Sequence, residues 1–247
     1  MRQRLPDLAY GRDPRQVLDL YLPDAPSPRL LVFIHGGGWR GGDKQQYRAL
    51  GELLSSFGYA VALPNHRLAP EHPFPAQAED AAAAIACVLR YAPESGIQPR
   101  GVLLGGHSSG AHLAALLAVH PDLGETIAPC DIAGVICISG VYDLTAYAAA
   151  SGYLAPVFGD APGVWADASP LRHVGAGAPP FFFAYAEHDV PGAAEQAQAM
   201  ARELRRHGGF ASVTAVPGRD HVSILAGIQS LLDPLALGLA MFLRQVR

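Results

Sequence analysis

A serine stands at the centre of residues 106–110 (GHSSG), directly after an apolar run and before a stretch with helical character. Glycines two positions before and after Ser108 allow a strand to turn sharply into a helix, because a Cβ at either glycine would meet backbone. The helix that follows would direct its unpaired N–H groups at the serine. The pattern predicts that Ser108 is the nucleophile of an acyl-transfer reaction.

A serine hydroxyl needs a base to accept its proton, and that base needs a carboxylate to fix its tautomer. His221 follows the last apolar run of the strand type, and Asp189 follows the run before it. Nucleophile, acid and base then occur in the order Ser108, Asp189, His221, which one large class of serine hydrolases shares. Asp143 also follows a strand-like run and is the rival acid, with a role in a turn or helix cap as its alternative. We favour Asp189 on chain order.

A glycine-rich segment, residues 35–39 (HGGGW), follows an early apolar run. Acyl transfer passes through an oxyanion that N–H donors must stabilise, and consecutive glycines can turn their N–H groups inward. We expect the N–H groups of Gly37, Gly38 and Ser109 to form this oxyanion hole. An ordinary glycine turn is the plain alternative, whereas a phosphate loop is disfavoured because neither GxGxxG nor GK[ST] is present.

Several aromatic residues near these segments are candidates either for lining a substrate pocket or for packing a lid. They are Trp39, Tyr142, Tyr147, Phe158 and Trp165, and we take Trp39, Tyr142 and Trp165 as the pocket candidates. The ten histidines show neither HExxH nor paired-cysteine spacing, so we predict no metal site and no cofactor. We assign His107 to a loop contact and His112 to packing.

Short apolar runs alternate with longer helical stretches, which predicts crossovers and a mostly parallel sheet with helices on both faces. The predicted strands are residues 30–34, 60–63, 101–104, 134–138, 181–185 and 211–216, with 17–22 as an edge strand. The predicted helices are residues 45–57, 76–91, 109–120, 193–206 and 224–246. We expect a single domain over residues 1–247, with residues 1–29 and 141–178 as cap or lid segments.

Composition excludes several classes of protein. The 247 residues are half hydrophobic and 16% charged, with a formal net charge of −4 and no basic run, which argues against disorder and against a nucleic-acid partner. Cys87, Cys130 and Cys137 lie in apolar settings and are expected to be reduced and buried. The sequence shows neither a signal peptide nor a run of 18 apolar residues, so we predict a cytoplasmic location without membrane insertion. A homodimer is left open.

Four segments together resemble the α/β-hydrolase fold family: residues 35–39 (HGGGW), 106–113 (GHSSGAHL), 139–144 (SGVYDL) and 169–171 (SPL). Within that family the chain is similar to hormone-sensitive-lipase-like carboxylesterases and to arylformamidases, of the kynurenine formamidase kind. Residues 67–75 (RLAPEHPFP) resemble the hormone-sensitive-lipase-like esterases, whereas the short segment before His35 resembles the formamidases and the short-cap esterases. The resemblance runs from about residue 17 to the C-terminus and implies an α/β-hydrolase fold with a short cap.

Motifs and resemblance together predict a serine hydrolase of the carboxylesterase type that acts on small, fairly apolar esters. Hydrolysis of an N-formyl aryl amide by the same residues is the first alternative. A protein that binds a ligand in a hydrolase-like pocket without cleaving it is the second.

Overall fold

The computed structural model describes residues 3–125, 132–226, 228 and 232–246. One sheet of eight strands runs through it, in the order β1-β2-β4-β3-β5-β6-β7-β8. The strands are β1 (Arg4–Ala9), β2 (Val17–Tyr21), β3 (Leu30–Ile34), β4 (Ala60–Pro64), β5 (Val102–His107), β6 (Ile132–Ile138), β7 (Phe181–His188) and β8 (Ala211–Asp220). β1 pairs with β2, and β2 with β4, in antiparallel register, and the other pairs are parallel.

Helices cover both faces of this sheet, as predicted. They are α1 (Arg48–Ser56), α2 (Ala76–Tyr91), α3 (Ser109–Val119), α4 (Pro121–Glu125), α5 (Ser151–Phe158), α6 (Pro162–Asp167), α7 (Ala193–Arg206) and α8 (Pro234–Gln245). α1 and α8 contribute Leu50, Leu239 and Phe242 to one apolar cluster. α2, α3 and α7 contribute to a larger cluster on the opposite face, which also takes in Phe158 and Trp165 from α5 and α6. The α/β-hydrolase architecture inferred from the sequence is therefore confirmed.

The carboxyl ends of the parallel strands position the candidate residues. Ser108, Ser139, Asp189 and His221 each come directly after the last residue of β5, β6, β7 and β8, respectively. His35 follows β3 in the same way. Because parallel strands bring their carboxyl ends to one edge of the sheet, residues far apart in sequence converge there.

Two predicted elements differ from the structure. The strand predicted at residues 17–22 is not the edge, because β1 pairs outside it. β1 escaped detection because its sequence, RLPDLA, contains a proline and an aspartate, which edge strands tolerate. The predicted helix 224–246 begins only at Pro234, where the Asp233 carboxylate accepts hydrogen bonds from the Leu235 and Ala236 N–H groups, and a short 3₁₀ turn, Ser223–Leu225, precedes it.

The two segments expected to form a cap or lid lie in different parts of the molecule. Residues 141–178 hold α5, α6 and short 3₁₀ turns on the side of the sheet where the strands end. Residues 1–29 hold the antiparallel strands β1 and β2 at the sheet edge, and none of residues 3–29 lines the cleft described below.

The sequence also predicted buried, reduced cysteines and no membrane-spanning segment. Cys87 and Cys137 are buried and free, as predicted, whereas Cys130 lies outside the described residues. In the ranges given above, no helix combines the length and apolar character needed to cross a bilayer.

Candidate active site

Ser108 occupies a strained turn between β5 and α3, with φ +55° and ψ −121°. A Cβ added to Gly106 would lie 2.2 Å from the Gly110 carbonyl carbon, and one added to Gly110 would lie 2.1 Å from the Ile34 carbonyl oxygen. Real Cβ atoms do not approach backbone so closely, so only glycine fits at either position. The predicted reason for the two glycines is confirmed, and the turn presents the Ser108 hydroxyl at the start of α3.

Three side chains meet at this turn. Ser108 Oγ lies 2.9 Å from His221 Nε2, and His221 Nδ1 lies 2.6 Å from Asp189 Oδ1. A carboxylate only accepts hydrogen bonds, so Nδ1 carries the imidazole proton and the Nε2 lone pair faces the hydroxyl. This is the arrangement in which an imidazole can accept a proton from serine.

The Asp189 carboxylate is held by four donors. Besides His221, Ser139 Oγ donates to Oδ2 at 2.6 Å, the Ala186 N–H donates to Oδ2 at 2.9 Å, and the Val190 N–H donates to Oδ1 at 2.8 Å. Burial alone would raise the pKa of Asp189, but these hydrogen bonds lower it to about 2. The carboxylate therefore stays ionised and keeps a fixed orientation toward His221.

The rival acid Asp143 lies in a turn. Its Oδ1 accepts a hydrogen bond from the Thr145 N–H at 3.0 Å, and Arg172 lies 3.6 Å from its Oδ2. These contacts match the alternative role of a turn residue. The structure thus joins His221 to Asp189 rather than to Asp143.

The glycine segment lies beside Ser108. Gly37 and Gly38 have φ of +134° and +61°, and a Cβ on Gly37 would lie 2.2 Å from the Gly41 carbonyl oxygen. Within the described residues, the N–H groups of Gly37, Gly38 and Ser109 donate to no protein acceptor. Ser109 is also the first residue of α3, where N–H groups lack intrahelical partners. These donors are free to stabilise an anion next to Ser108.

A cleft of about 1010 Å³ opens over these groups. Apolar and aromatic side chains line most of it, including Leu50, Tyr153, Leu154, Val190 and Leu225. No aspartate, glutamate, lysine or arginine is among its described lining residues. The cleft therefore suits an uncharged and largely apolar molecule.

Of the three aromatic residues predicted to line the pocket, the structure places one at the cleft and two elsewhere. Trp39 lines the cleft, and its Nε1–H donates to His112 Nδ1 at 3.2 Å. Tyr142 is buried and packs edge-on against Phe183 with 5.2 Å between ring centroids, so it contributes to the core beneath the cleft. Trp165 donates to the Gly159 carbonyl oxygen at 2.8 Å and packs inside the segment of α5 and α6. Neither Tyr142 nor Trp165 is among the cleft-lining residues.

One group of side chains outside the cleft has the composition of a metal site. His120, Asp167 and His173 each offer a ligand atom within 4.8 Å of the others. They come from the end of α3, the end of α6 and the 3₁₀ turn Pro170–His173.

Sequence reasoning missed two residues at the site, Tyr47 and Ser139. The Tyr47 hydroxyl bonds to both Gly36 and His107, and Ser139 bonds to Asp189. Ser139 carried a usable signal, because it follows a parallel strand at the same edge as Ser108. Tyr47 carried none, because its position beside His107 arises only when α1 packs on the sheet.

Comparison with known proteins gives a consistent result. The BD-FAE family matches residues 18–204. The chain is 28% identical to esterase LipC of Mycobacterium tuberculosis (strain ATCC 25618 / H37Rv), over 96% of the chain and 64% of that protein. It is 32% identical to kynurenine formamidase of Danio rerio, over 58% of the chain and 47% of that protein.

Among solved structures, esterase B from Lactobacillus rhamnosis has a TM-score of 0.84 at 24% identity, covering 98% of this chain and 86% of that one. This similarity supports the fold. The chain spans between 52% and 64% of the length of three curated relatives that it matches. The family match extends over most of the chain and includes the glycine segment, Ser108 and Asp189, so the chain belongs to the BD-FAE family.

Proposed function

We propose that this chain is a serine hydrolase that cleaves small, uncharged carboxylic esters through a covalent acyl-enzyme, with Ser108, His221 and Asp189 as its catalytic triad. The observation that carries the proposal is the continuous line of contacts from Ser108 Oγ through the His221 ring to Asp189, at 2.9 Å and 2.6 Å. That line ends in a cleft without charged lining residues in its described part.

The geometry supports a two-step reaction. His221 Nε2 accepts the Ser108 proton while Oγ attacks the ester carbonyl carbon, and the N–H groups of Gly37, Gly38 and Ser109 stabilise the oxyanion. The oxyanion then collapses, the ester C–O bond breaks, and His221 returns the proton to the departing alcohol. In the second step, water attacks the acyl-enzyme while His221 accepts its proton. His221 then returns the proton to Ser108 Oγ, which releases the carboxylic acid and restores the Ser108 hydroxyl.

The cleft supports the choice of substrate class. Trp39, Leu50, Leu154 and Leu225 present apolar surface around Ser108. A charged substrate group buried there would lose hydration without gaining an ion pair, which costs several kcal/mol. We therefore infer that both the acyl and the alcohol parts are neutral. The segment 141–178 contributes Tyr147, Tyr153 and Leu154 to the cleft, which supports its proposed role as a short cap within a single domain.

The second candidate is hydrolysis of an N-formyl aryl amide by the same residues. The similarity to kynurenine formamidase of Danio rerio over 58% of the chain favours keeping it. A comparison of kcat/KM for p-nitrophenyl esters of rising acyl length with that for N-formylkynurenine separates the two activities. A higher kcat/KM for N-formylkynurenine than for every ester would replace the ester proposal.

The decisive variant is Ser108→Ala. We expect it to lower kcat by roughly 10⁴-fold or more, with the fold retained, because the nucleophile is lost. A fluorophosphonate probe should label the native chain and fail to label the variant. Ser56→Ala, which removes an exposed hydroxyl that donates to the Leu53 carbonyl oxygen, is the matched control and should keep full activity and labelling. Full activity of Ser108→Ala would exclude the mechanism, and a native chain that neither labels nor hydrolyses would favour a ligand-binding protein.

A cytoplasmic location and a homodimer stay predictions. Light scattering of the purified chain measures its oligomeric state, and fractionation of the producing cells measures its location.

A further inference from the structure

A chain of hydrogen bonds runs beneath the cleft from the glycine segment to the main chain of His221. The Gly36 N–H donates to the Tyr47 hydroxyl oxygen at 3.0 Å. That oxygen lies 2.9 Å from His107 Nδ1, and His107 Nε2 lies 2.8 Å from the His221 carbonyl oxygen. Tyr47 and His107 are both buried, so water does not compete freely for these groups.

In this series of hydrogen bonds, each proton has one available position. The His221 carbonyl oxygen only accepts, so His107 Nε2 carries a proton and donates it. The Gly36 N–H only donates, so the Tyr47 oxygen accepts there, and the Tyr47 proton is directed to the lone pair of His107 Nδ1. A neutral His107 with its proton on Nε2 completes every bond, and a charged His107 would not.

The surroundings of His107 also favour the neutral ring. Burial lowers the pKa of His107 to about 4, and the adjacent His221 ring acts in the same direction. The hydrogen bond to the His221 carbonyl oxygen and the charge of Asp189 oppose this change only in part. At neutral pH the ring therefore carries no charge.

This series of hydrogen bonds connects the three segments that carry the proposed oxyanion donors, nucleophile and base. Gly36 precedes the proposed oxyanion donors Gly37 and Gly38, and His107 precedes Ser108. His221 is the proposed base, and it stands at the end of β8 with its ring partly exposed to the cleft. A small displacement of any of these segments would change the attack geometry, to which rates are sensitive.

We propose that Tyr47 and His107 are positioning residues that hold the glycine segment and the main chain of His221 in register with Ser108. The inference rests on the proposed function. It assigns neither residue a proton transfer, because both act through the backbone groups of Gly36 and His221.

The first test is Tyr47→Phe, which keeps the aromatic ring that lines the cleft and removes the hydroxyl. We expect kcat for the best p-nitrophenyl ester to fall about tenfold while KM stays within about twofold, because a bond that matters for transition-state geometry is lost. Tyr21→Phe is the matched control, since the buried Tyr21 hydroxyl has no hydrogen-bond partner among the residues that the structure describes. That variant should keep kcat. An unchanged kcat in Tyr47→Phe would overturn the proposal.

The second test uses His107. Glutamine can offer both an N–H donor and an oxygen acceptor, whereas leucine offers neither. His107→Gln should therefore retain much more of kcat than His107→Leu. Because the two residues share the hydrogen bond between them, the loss of kcat in the double variant Tyr47→Phe/His107→Leu should be smaller than the product of the losses in the two single variants. Equal losses in the glutamine and leucine variants, or multiplied losses in the double variant, would point to a purely structural role.

A spectroscopic measurement keeps this inference separate from the proposed function. Nitrogen NMR of the imidazoles, with the His107 signals assigned from His107→Gln, should find Nε2 protonated and Nδ1 unprotonated at pH 7. A proton on His107 Nδ1, or a charged His107 ring, would overturn the proposed positioning role of Tyr47 and His107 even in an active enzyme. A native chain with the expected tautomer but no hydrolysis of any ester or formamide would instead overturn the proposed function.

Discussion

Two histidine–aspartate pairs lie near opposite ends of α3 and share little beyond residue type. Near the start of the helix, His221 Nδ1 lies 2.6 Å from Asp189, whose side chain is 4% exposed while that of His221 is 25% exposed. At the end of the helix, His120 Nε2 lies 3.3 Å from Asp167, and the exposures are reversed, at 6% for His120 and 61% for Asp167. In the first pair the acid is buried and the base opens to the cleft. In the second pair the imidazole is buried and the acid faces water.

The number of bonds to each carboxylate explains this difference. Asp189 accepts from four donors, so its oxygens have fixed directions, and its bond to His221 is short. Asp167 offers His120 a single long contact and is otherwise open to solvent, where such pairs contribute little. A histidine–aspartate pair thus becomes useful for proton transfer when the acid is held from behind and the far nitrogen of the ring remains free.

The largest expected contrast comes from the same substitution at each acid. Asp189→Asn should lower kcat/KM by about 10⁴-fold, because the amide favours the wrong tautomer of His221 and does not stabilise its charged form. Asp167→Asn should leave kcat/KM within about twofold. Steady-state kinetics with one p-nitrophenyl ester measures both variants, and circular dichroism checks that each is folded. Similar losses in the two variants would remove the distinction between the pairs.

A smaller contrast concerns acid stability. The pKa of Asp189 is about 2 in the folded chain, against about 3.9 for an unfolded aspartate. A lowered folded-state pKa stabilises the fold above the unfolded value, and the contribution is lost as the pH falls from about 4 toward 2. We expect the native chain to lose about 2 kcal/mol more free energy of unfolding than Asp189→Asn between pH 5 and pH 2, as measured by urea titration. Parallel pH dependences of the two chains would contradict the environment described for Asp189.

Strand ends made most of the site accessible to sequence reasoning. Ser108, Asp189 and His221 each follow an apolar run, and parallel strands place such positions at one edge whatever the loops do. Tyr142 also lies a few residues beyond a strand, but its ring turns back onto Phe183. A residue's type and its distance from a strand do not give the direction of its side chain, so its place in the core was not predictable.

Contacts between distant segments were the part that the sequence did not reveal. Tyr47 and His107 are 60 positions apart, and Ser139 and Asp189 are 50 apart. Their bonds depend on how α1 and the turn after β6 pack, which no local pattern encodes. The same limit applies to the start of α8, because the apolar residues before Asp233 continue a helical pattern through a region where the structure contains a 3₁₀ turn.

The smallest expected effect is that of a metal chelator, because the second pair and the neighbouring His173 are poorly arranged to bind a cation. A metal ligand must offer a lone pair. His120 Nδ1 accepts a hydrogen bond from the Leu123 N–H at 3.3 Å, so its proton is on Nε2, the atom that faces Asp167. His173 Nε2 donates to the Asp167 carbonyl oxygen at 2.6 Å, which leaves only Nδ1 of that ring available. Binding a cation here would require His120 to exchange its proton between nitrogens and to give up the bond to Leu123.

We therefore expect EDTA to change neither kcat/KM nor Tm, and His173→Ala to respond to added Zn²⁺ in the same way as the native chain. A Tm that falls with EDTA in the native chain but not in His173→Ala would establish a metal site and would make the second pair a structural clamp between α3 and α6.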